Sequence, residues 1–241
     1  MTVKDGVLTL LEEARGEYVS GEKLASSLGV SRQAVSKAIH GLTEQGYEIE
    51  AVSRKGYRLA QVCDLISAAV IAAQTGARVF CYSSVPSTNA VAAAEYLNGG
   101  ECLVVALSQS AGRSKDGAPF PSPENEGIYL SVALPVSLEA EGIDGFREAC
   151  ACAVERVIAA SSGKRAERVR LDEFFIGGKK AAGILVEFMV NGATKLTEFA
   201  VVGVGIYTGA TFSCEIAPID AKDSRNRMII ELWQELIKLK K

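Results

Sequence analysis

Residues 20–42 read SGEKLASSLGVSRQAVSKAIHGL, with the spacing of a helix, a tight turn and a second helix. Ser20 offers a hydroxyl cap ahead of the apolar positions Leu24, Ala25 and Leu28, and Gly29 suits the left-handed backbone that ends a helix. Ser31 caps the next helix, whose Val35, Ala38, Ile39 and Leu42 recur at the helical period and face inward. Ala25 is small enough for the two helices to approach closely, and Val30, Val35 and Ile39 fill the space between them. The other side of the second helix presents Arg32, Gln33, Ser36, Lys37 and His40, with Ser31 at its start. Arg and Gln near the start of such a helix can reach base edges, while Lys and Ser suit phosphates. This is the pattern of a helix-turn-helix that reads double-stranded DNA. The same motif also serves as a docking or dimerisation module, and spacing alone leaves that alternative open.

Working outward, residues 3–14 carry Val7, Leu8, Leu10 and Leu11 and predict a short amphipathic helix. On the other side, YEIEAVSRKGYRLA (47–60) alternates apolar and polar residues around a Lys-Gly turn and predicts a β-hairpin, the wing. Its tip offers Ser53, Arg54 and Lys55, with Arg58 beyond, to a DNA backbone. Residues 1–60 contain eight Lys/Arg and eight Asp/Glu, but five of those bases fall at 32, 37, 54, 55 and 58. Positive charge is thus gathered on one face.

Residues 63–80 read as a linker or connecting helix, separating a domain at 1–62 from a larger one at 81–241. In the larger one, apolar runs at 78–82, 102–107, 128–134, 182–188 and 198–206 predict strands, and 88–97 and 143–161 predict helices. A closing amphipathic helix at about 222–238 aligns Ile229, Ile230, Leu232, Trp233, Leu236 and Ile237 on one face. Strands and helices in this irregular order imply an α+β fold.

Bulk properties narrow the function. The formal net charge of −3 gives no overall attraction to nucleic acid, so DNA contact must come from a local patch. Cysteines 63, 81, 102, 150, 152 and 214 include no Cys-x-x-Cys pair, which fits reduced, buried or half-buried thiols in a cytoplasmic protein. No apolar stretch approaches the roughly 20 residues that span a bilayer, so no membrane association is expected. A single histidine, His40, cannot supply a multi-histidine metal site, and a triad would have to use it; no metal site is expected.

Beyond residue 60 a family likeness emerges. Ser87-Thr88-Asn89, the loop LSQSAGRSKDGAPF (107–120), FFIGGKKAAGILVE (174–187) and VVGVGIYTG (201–209) follow one another in order behind a winged helix ending SRKGYRL. In this order they resemble the bifunctional biotin protein ligase/biotin-operon repressors of bacteria, over nearly the whole chain. The resemblance implies a winged helix-turn-helix followed by a biotin/lipoate protein ligase-like mixed α/β domain. It implies that Ser87, Thr88 and Asn89 bond the polar head of biotin. Gln109, Gly112, Arg113, Lys115 and Gly117 would belong to a loop folding over biotin and the adenylate phosphate. Lys180 falls on the family's catalytic lysine, with Gly183 and Leu185 on the strand that walls the biotin site, and Gly203 and Gly205 match a further glycine strand. Alone, Ser-Thr-Asn is equally a helix cap.

The chain also departs from the family. Ser114 replaces a loop glycine, Asp116 stands where a base is common, Ala118 replaces an arginine and Phe120 fills the tryptophan slot. The family's Trp-Pro-Asn-Asp becomes Arg170-Leu171-Asp172-Glu173, Tyr207 fills an asparagine position, and the family's small SH3-like C-terminal domain is expected to be lacking. A carboxylate beside a triphosphate repels it, and a lost guanidinium removes a contact of roughly 1.5–3 kcal/mol, about tenfold in rate per 1.4 kcal/mol. One reading follows: a DNA-binding regulator whose ligase-like domain binds biotin, biotinyl-5'-AMP or a related carboxylate effector, with ligase activity weak or lost. The alternative is a working biotin-[acetyl-CoA-carboxylase] ligase and biotin operon repressor, using ATP and Mg2+ and acting on biotin carboxyl carrier protein. Either reading implies a homodimer on an operator.

Overall fold

The computed structural model describes every residue except 1, 15, 45, 46, 48, 60–65, 125, 209–224 and 241. Gly46, Cys63, Cys214 and the first residues expected of the closing helix lie outside the described residues. Contacts divide the chain into two compact units, Met1–Gln74 with Asp223–Arg227, and Thr75–Lys222 with Met228–Lys241.

In the first unit, α1 (Val3–Glu13) starts at a capping box in which Thr2 and Asp5 satisfy each other's backbone amides. Helices α2 (Gly21–Leu28) and α3 (Arg32–Glu44) follow the expected caps: Ser20 Oγ accepts from the Lys23 amide at 3.1 Å, and Ser31 Oγ from the Ala34 amide at 3.1 Å. Val7, Leu8, Leu11, Leu24, Val35 and Leu42 form the core. Strands β1 (Ile49–Val52) and β2 (Gly56–Leu59) pair antiparallel as the wing, and α4 (Ala68–Thr75) contributes Val70 to the same core. The wing is pinned at its base, where Val19 and Tyr57 exchange backbone hydrogen bonds at 2.8 and 2.9 Å. Gly56 makes this approach possible, because a Cβ there would lie 2.6 Å from Ser20 Cα and collide with the Val19 carbonyl oxygen.

The second unit is a seven-stranded mixed sheet in the order β3-β4-β5-β9-β8-β7-β6. Its strands are β3 (Val79–Tyr82), β4 (Cys102–Ala106), β5 (Gly127–Pro135), β6 (Glu167–Arg170), β7 (Glu173–Ile176), β8 (Lys179–Val190) and β9 (Thr197–Tyr207). Only the β3–β4 pair is parallel. Helix α5 (Thr88–Gly99) packs on one face, where Ala92 meets Cys102, Val104, Ala133 and Val201. Helix α6 (Ile143–Ser162) meets the sheet where Phe146 packs edge-on against Phe188 of β8, 5.7 Å between centroids. Strand side chains alternate, so Phe188 faces away from Leu185 and Glu187. In α7 (Arg225–Ile237), Ile229, Ile230, Leu232, Trp233 and Leu236 are buried, as is Met228; Ile237 is half-buried.

The five strands and three helices read from periodicity in the larger domain appear within a few residues of their expected bounds. Strands β6 and β7 were not among those five; the Glu-Arg-Val-Arg sequence of β6 offers no apolar run, and its Val169 is exposed at the sheet edge. Of the thiols expected to be buried or half-buried, Cys102 and Cys150 are buried and Cys152 is intermediate, but Cys81 is exposed. Burial pushes Cys102 up to about 11 and Cys150 up to about 12.

Two glycine substitutions separate backbone cost from collision. Gly29→Ala meets φ of 64° but open space, and costs about 1 kcal/mol. Gly56→Ala meets φ of 110° and the Val19–Ser20 backbone, and costs at least about 3 kcal/mol. Denaturant unfolding followed by circular dichroism measures the difference; equal losses would contradict the packing of the wing base.

Candidate effector pocket and nucleic-acid interface

The pocket starts from the first turn of α5. Ser87 caps that helix, its Oγ accepting from the Ala90 amide, so the cap reading of Ser-Thr-Asn holds in the structure. Thr88 and Asn89, which follow, are both buried. Asn89 lies across the sheet. Its Nδ2 donates to the Leu185 carbonyl at 3.3 Å and to Glu187 Oε2 at 2.7 Å, and its Oδ1 accepts from Ser131 Oγ at 2.6 Å. It crosses β9 at Gly203, where a Cβ would lie 2.9 Å from Asn89 Cγ and closer still to Oδ1. The amide expected to meet a ligand is therefore fully engaged by the protein.

Gln109 joins this network to the loop. Its Oε1 accepts from the Thr88 amide at 2.8 Å and from Thr88 Oγ1 at 3.0 Å, while its Nε2 donates to Ser122 Oγ at 2.9 Å. Between Gln109 and Ser122 the chain folds back on itself: Phe120 N–H donates to Gly112 O at 2.8 Å, and Ser114 N–H to Ala118 O at 2.8 Å. The loop between them thus closes into a small hairpin.

Lys180 comes from the β7–β8 hairpin. Gly177 and Gly178 both have positive φ, 58° and 75°, the backbone of a two-residue turn that fits strand twist. The turn sets Lys180 beside Glu173, with Nζ 2.6 Å from Oε1 and 26% of the lysine side chain exposed. Phe120 lies near it, its ring centroid 5.4 Å from Lys180 Nζ and 5.4 Å from the nearly parallel ring of Tyr207. Burial raises the Tyr207 phenol above its ordinary range, so it stays protonated and donates to Pro121 O at 3.0 Å.

These pieces enclose one small cavity of about 40 Å3, lined by Ser87, Thr88, Asn89, Gln109, Arg113, Lys180, Gly183 and Leu185 among others. Three of the expected ligand residues do not line it. Gly112 and Gly117 lie in the loop hairpin, and Lys115 borders a separate hollow with Arg147, Leu171 and Asp172. Sequence reading missed the acidic partners. Arg113 Nη2 bonds Glu187 Oε1 at 2.7 Å, and Arg170 Nη2 bonds Asp116 Oδ2 at 2.6 Å. Arg170 and Asp116 are both departures from the family pattern, yet they face each other. Glu173 was within reach of sequence reasoning, since a two-residue turn after β7 sets it near Lys180.

In the first unit, Ser31, which caps α3, and Arg32, Gln33, Ser36, Lys37 and His40 on it are all exposed. Gln33, Ser36, Lys37 and His40 line one concavity with Gly41 and Glu44. Arg54 and Lys55 are exposed at the wing tip, Arg54 with φ of 66°. Arg58 departs from expectation. Its guanidinium lies 4.8 Å from the Tyr18 ring centroid and bonds Glu50 at 2.6 Å, so it braces the wing. Tyr18 Oη also donates to Glu50 at 2.7 Å, and these two bonds hold the Glu50 carboxyl below its usual range.

Comparison with known proteins covers both units. The family described as HTH domain matches residues 5–58. Bifunctional ligase/repressor BirA of Bacillus subtilis (strain 168) is 31% identical over 212 residues, covering 85% of this chain and 65% of the relative. BirA of Escherichia coli (strain K12) is 31% identical over 200 residues, covering 80% and 60%. The chain therefore spans just under two thirds of the length of the relatives it matches. Among solved structures, biotin protein ligase from Leishmania major in complex with biotinyl-5-AMP aligns with a TM-score of 0.53 at 20% identity, covering 66% of this chain and 73% of that one. Biotin acetyl coenzyme A carboxylase synthetase from Helicobacter pylori aligns at 0.50 and 21% identity, covering 67% and 74%. At such identities the likeness is one of fold.

The crossing of Asn89 over Gly203 is testable. Gly203→Ala displaces Asn89 from Ser131, Leu185 and Glu187 and lowers stability by about 3 kcal/mol or more. Calorimetric unfolding checks this; a loss below about 1 kcal/mol would mean that the asparagine does not span the sheet.

Proposed function

We propose that this chain, a homologue of the BirA bifunctional ligase/repressors, is a DNA-binding transcriptional regulator controlled by a small carboxylate effector. Biotin or biotinyl-5'-AMP is the effector this reading favours. What carries it is the convergence of Ser87–Asn89, Gln109 with Arg113, and Lys180 with Gly183 on one pocket. The Lys180 ammonium, a quarter exposed at the cavity wall, would hold the effector's carboxylate by a charge-assisted hydrogen bond. Arg113, anchored through Glu187, would close the loop side.

Ligase activity is weak or lost in this reading. Lys180, Arg113 and Arg170 each already bond a carboxylate, and Asp172 stands in the pocket wall. A triphosphate there meets cations already paired with carboxylates, Asp172 being paired in turn with Arg170, which costs affinity where phosphoryl charge must be stabilised. The alternative, a working biotin-[acetyl-CoA-carboxylase] ligase, draws support from Lys180 itself at the cavity; it alone requires ATP, Mg2+ and biotin carboxyl carrier protein.

On the DNA side, α3 would enter the major groove with Arg32 and Gln33 toward base edges, and Ser31, Ser36, Lys37, Arg54 and Lys55 toward phosphates. In a cytoplasmic homodimer, two such helices would meet half-sites about 34 Å or a multiple apart. Effector and operator affinities would then be coupled reciprocally. Among the described residues no helix is long and apolar enough to cross a membrane.

Lys180→Ala is expected to weaken biotin or biotinyl-5'-AMP binding at least about tenfold in calorimetry, and to abolish the effector-linked shift in operator affinity in gel-shift assays. Unchanged values in both would remove the effector reading. Transfer of labelled biotin to an acceptor lysine in the presence of ATP would instead establish the ligase. Separately, Lys55→Ala should weaken DNA binding about evenly across sequences and lower the slope of log affinity against log salt by about 1; an unchanged slope would take the wing tip off the phosphates.

A further inference from the structure

The floor of the pocket is made of glycines, and something already lies on it. A Cβ at Gly183 would sit 2.7 Å from Phe120 Cε2, and one at Gly205 would sit 2.5 Å from Phe120 Cζ. These two residues pair directly across β8 and β9. Their missing side chains leave a slot one aromatic ring deep, and the Phe120 ring fills it, with Tyr207 stacked beside it and the Lys180 ammonium above. The remaining space, about 40 Å3, is far below the roughly 300–1,000 Å3 of a site that encloses a small ligand.

The backbone of Phe120 is tied to the residues that a ligand would address. Ser122 Oγ donates to Phe120 O at 3.0 Å and accepts from Gln109 Nε2, and Gln109 Oε1 accepts in turn from Thr88. The loop is also fastened from outside by Asp116–Arg170 and Arg113–Glu187. A molecule that bonds Thr88 and Gln109 therefore competes with the contacts that hold Phe120 down.

We propose that Phe120 is a resident occupant of the effector slot, an intramolecular competitor that a ligand must expel before loop 110–122 can close over it. This rests on the effector-pocket reading above and adds to it a ligand class. The incoming molecule carries a flat, largely apolar ring body to replace the phenyl group on the glycine floor, and a polar edge to take over the bonds of Thr88 and Gln109. The competition lowers apparent affinity in proportion to how rarely the slot stands empty.

Phe120→Ala tests it with two probes, indole and biotin, in thermal-shift and calorimetric titrations of the full chain. The vacated slot is expected to take up indole, which the wild type does not bind, and to bind biotin at least tenfold more tightly. Phe120→Leu, which keeps apolar packing should the alanine variant not fold, is expected to move both values the same way. Weaker biotin binding would show Phe120 to be a cover over the ligand and would overturn the proposal, as would failure to take up indole. Uptake of indole by the variant, with no binding of biotin or biotinyl-5'-AMP by either protein, would uphold the occupant and remove those effectors.

Discussion

Asn89 stretched across Gly203 is the contact from which the pocket is built. One side chain, issuing from the first turn of α5, uses both its amide hydrogens and its carbonyl oxygen to join β5, through Ser131, to β8, through Leu185 and Glu187. A buried amide left without these partners costs roughly 1–3 kcal/mol, and the crossing demands a residue with no side chain beneath it. Helix start, sheet register and the position of Glu187 are thereby fixed together. Glu187 then passes the constraint on to Arg113, so the floor and the loop share one carboxylate.

Electrostatics around that frame is a set of matched pairs. Lys180 faces Glu173, Arg113 faces Glu187, and Arg170 faces Asp116 with Asp172 close by. Arg113 and the Arg170–Asp116 pair are more than half exposed, so water and salt screen them and each adds little to stability. Their weight is positional. They hold the loop hairpin against β6 and β8, and they set the charge around the cavity.

Much of this was legible in the sequence because the signals were local. Caps at Ser20 and Ser31 and the inward face of Val35, Ala38, Ile39 and Leu42 each depend on neighbours within a few residues. Ser87, Thr88, Asn89, Gln109, Arg113, Lys180, Gly183 and Leu185 were legible through family resemblance, and they line one cavity. What escaped was contact between distant positions. Asp116 and Arg170 look like two separate losses until folding brings them to 2.6 Å. Arg58 reads as a wing base until Tyr18 and Glu50 claim it. Strand β6 escaped for another reason: an edge strand rich in charge has no apolar alternation to read.

That bracing of Arg58 has a thermodynamic consequence. The Tyr18 ring lies under Arg58 and, at 5.6 Å, under Lys55, while Glu50 ties ring and strand together. Under the DNA-binding reading proposed above, a hairpin stiffened in this way would arrive at a duplex already built. The conformational entropy that flexible arms surrender on contact has been surrendered during folding, so association there should show little of the heat-capacity signature of a segment that orders as it docks.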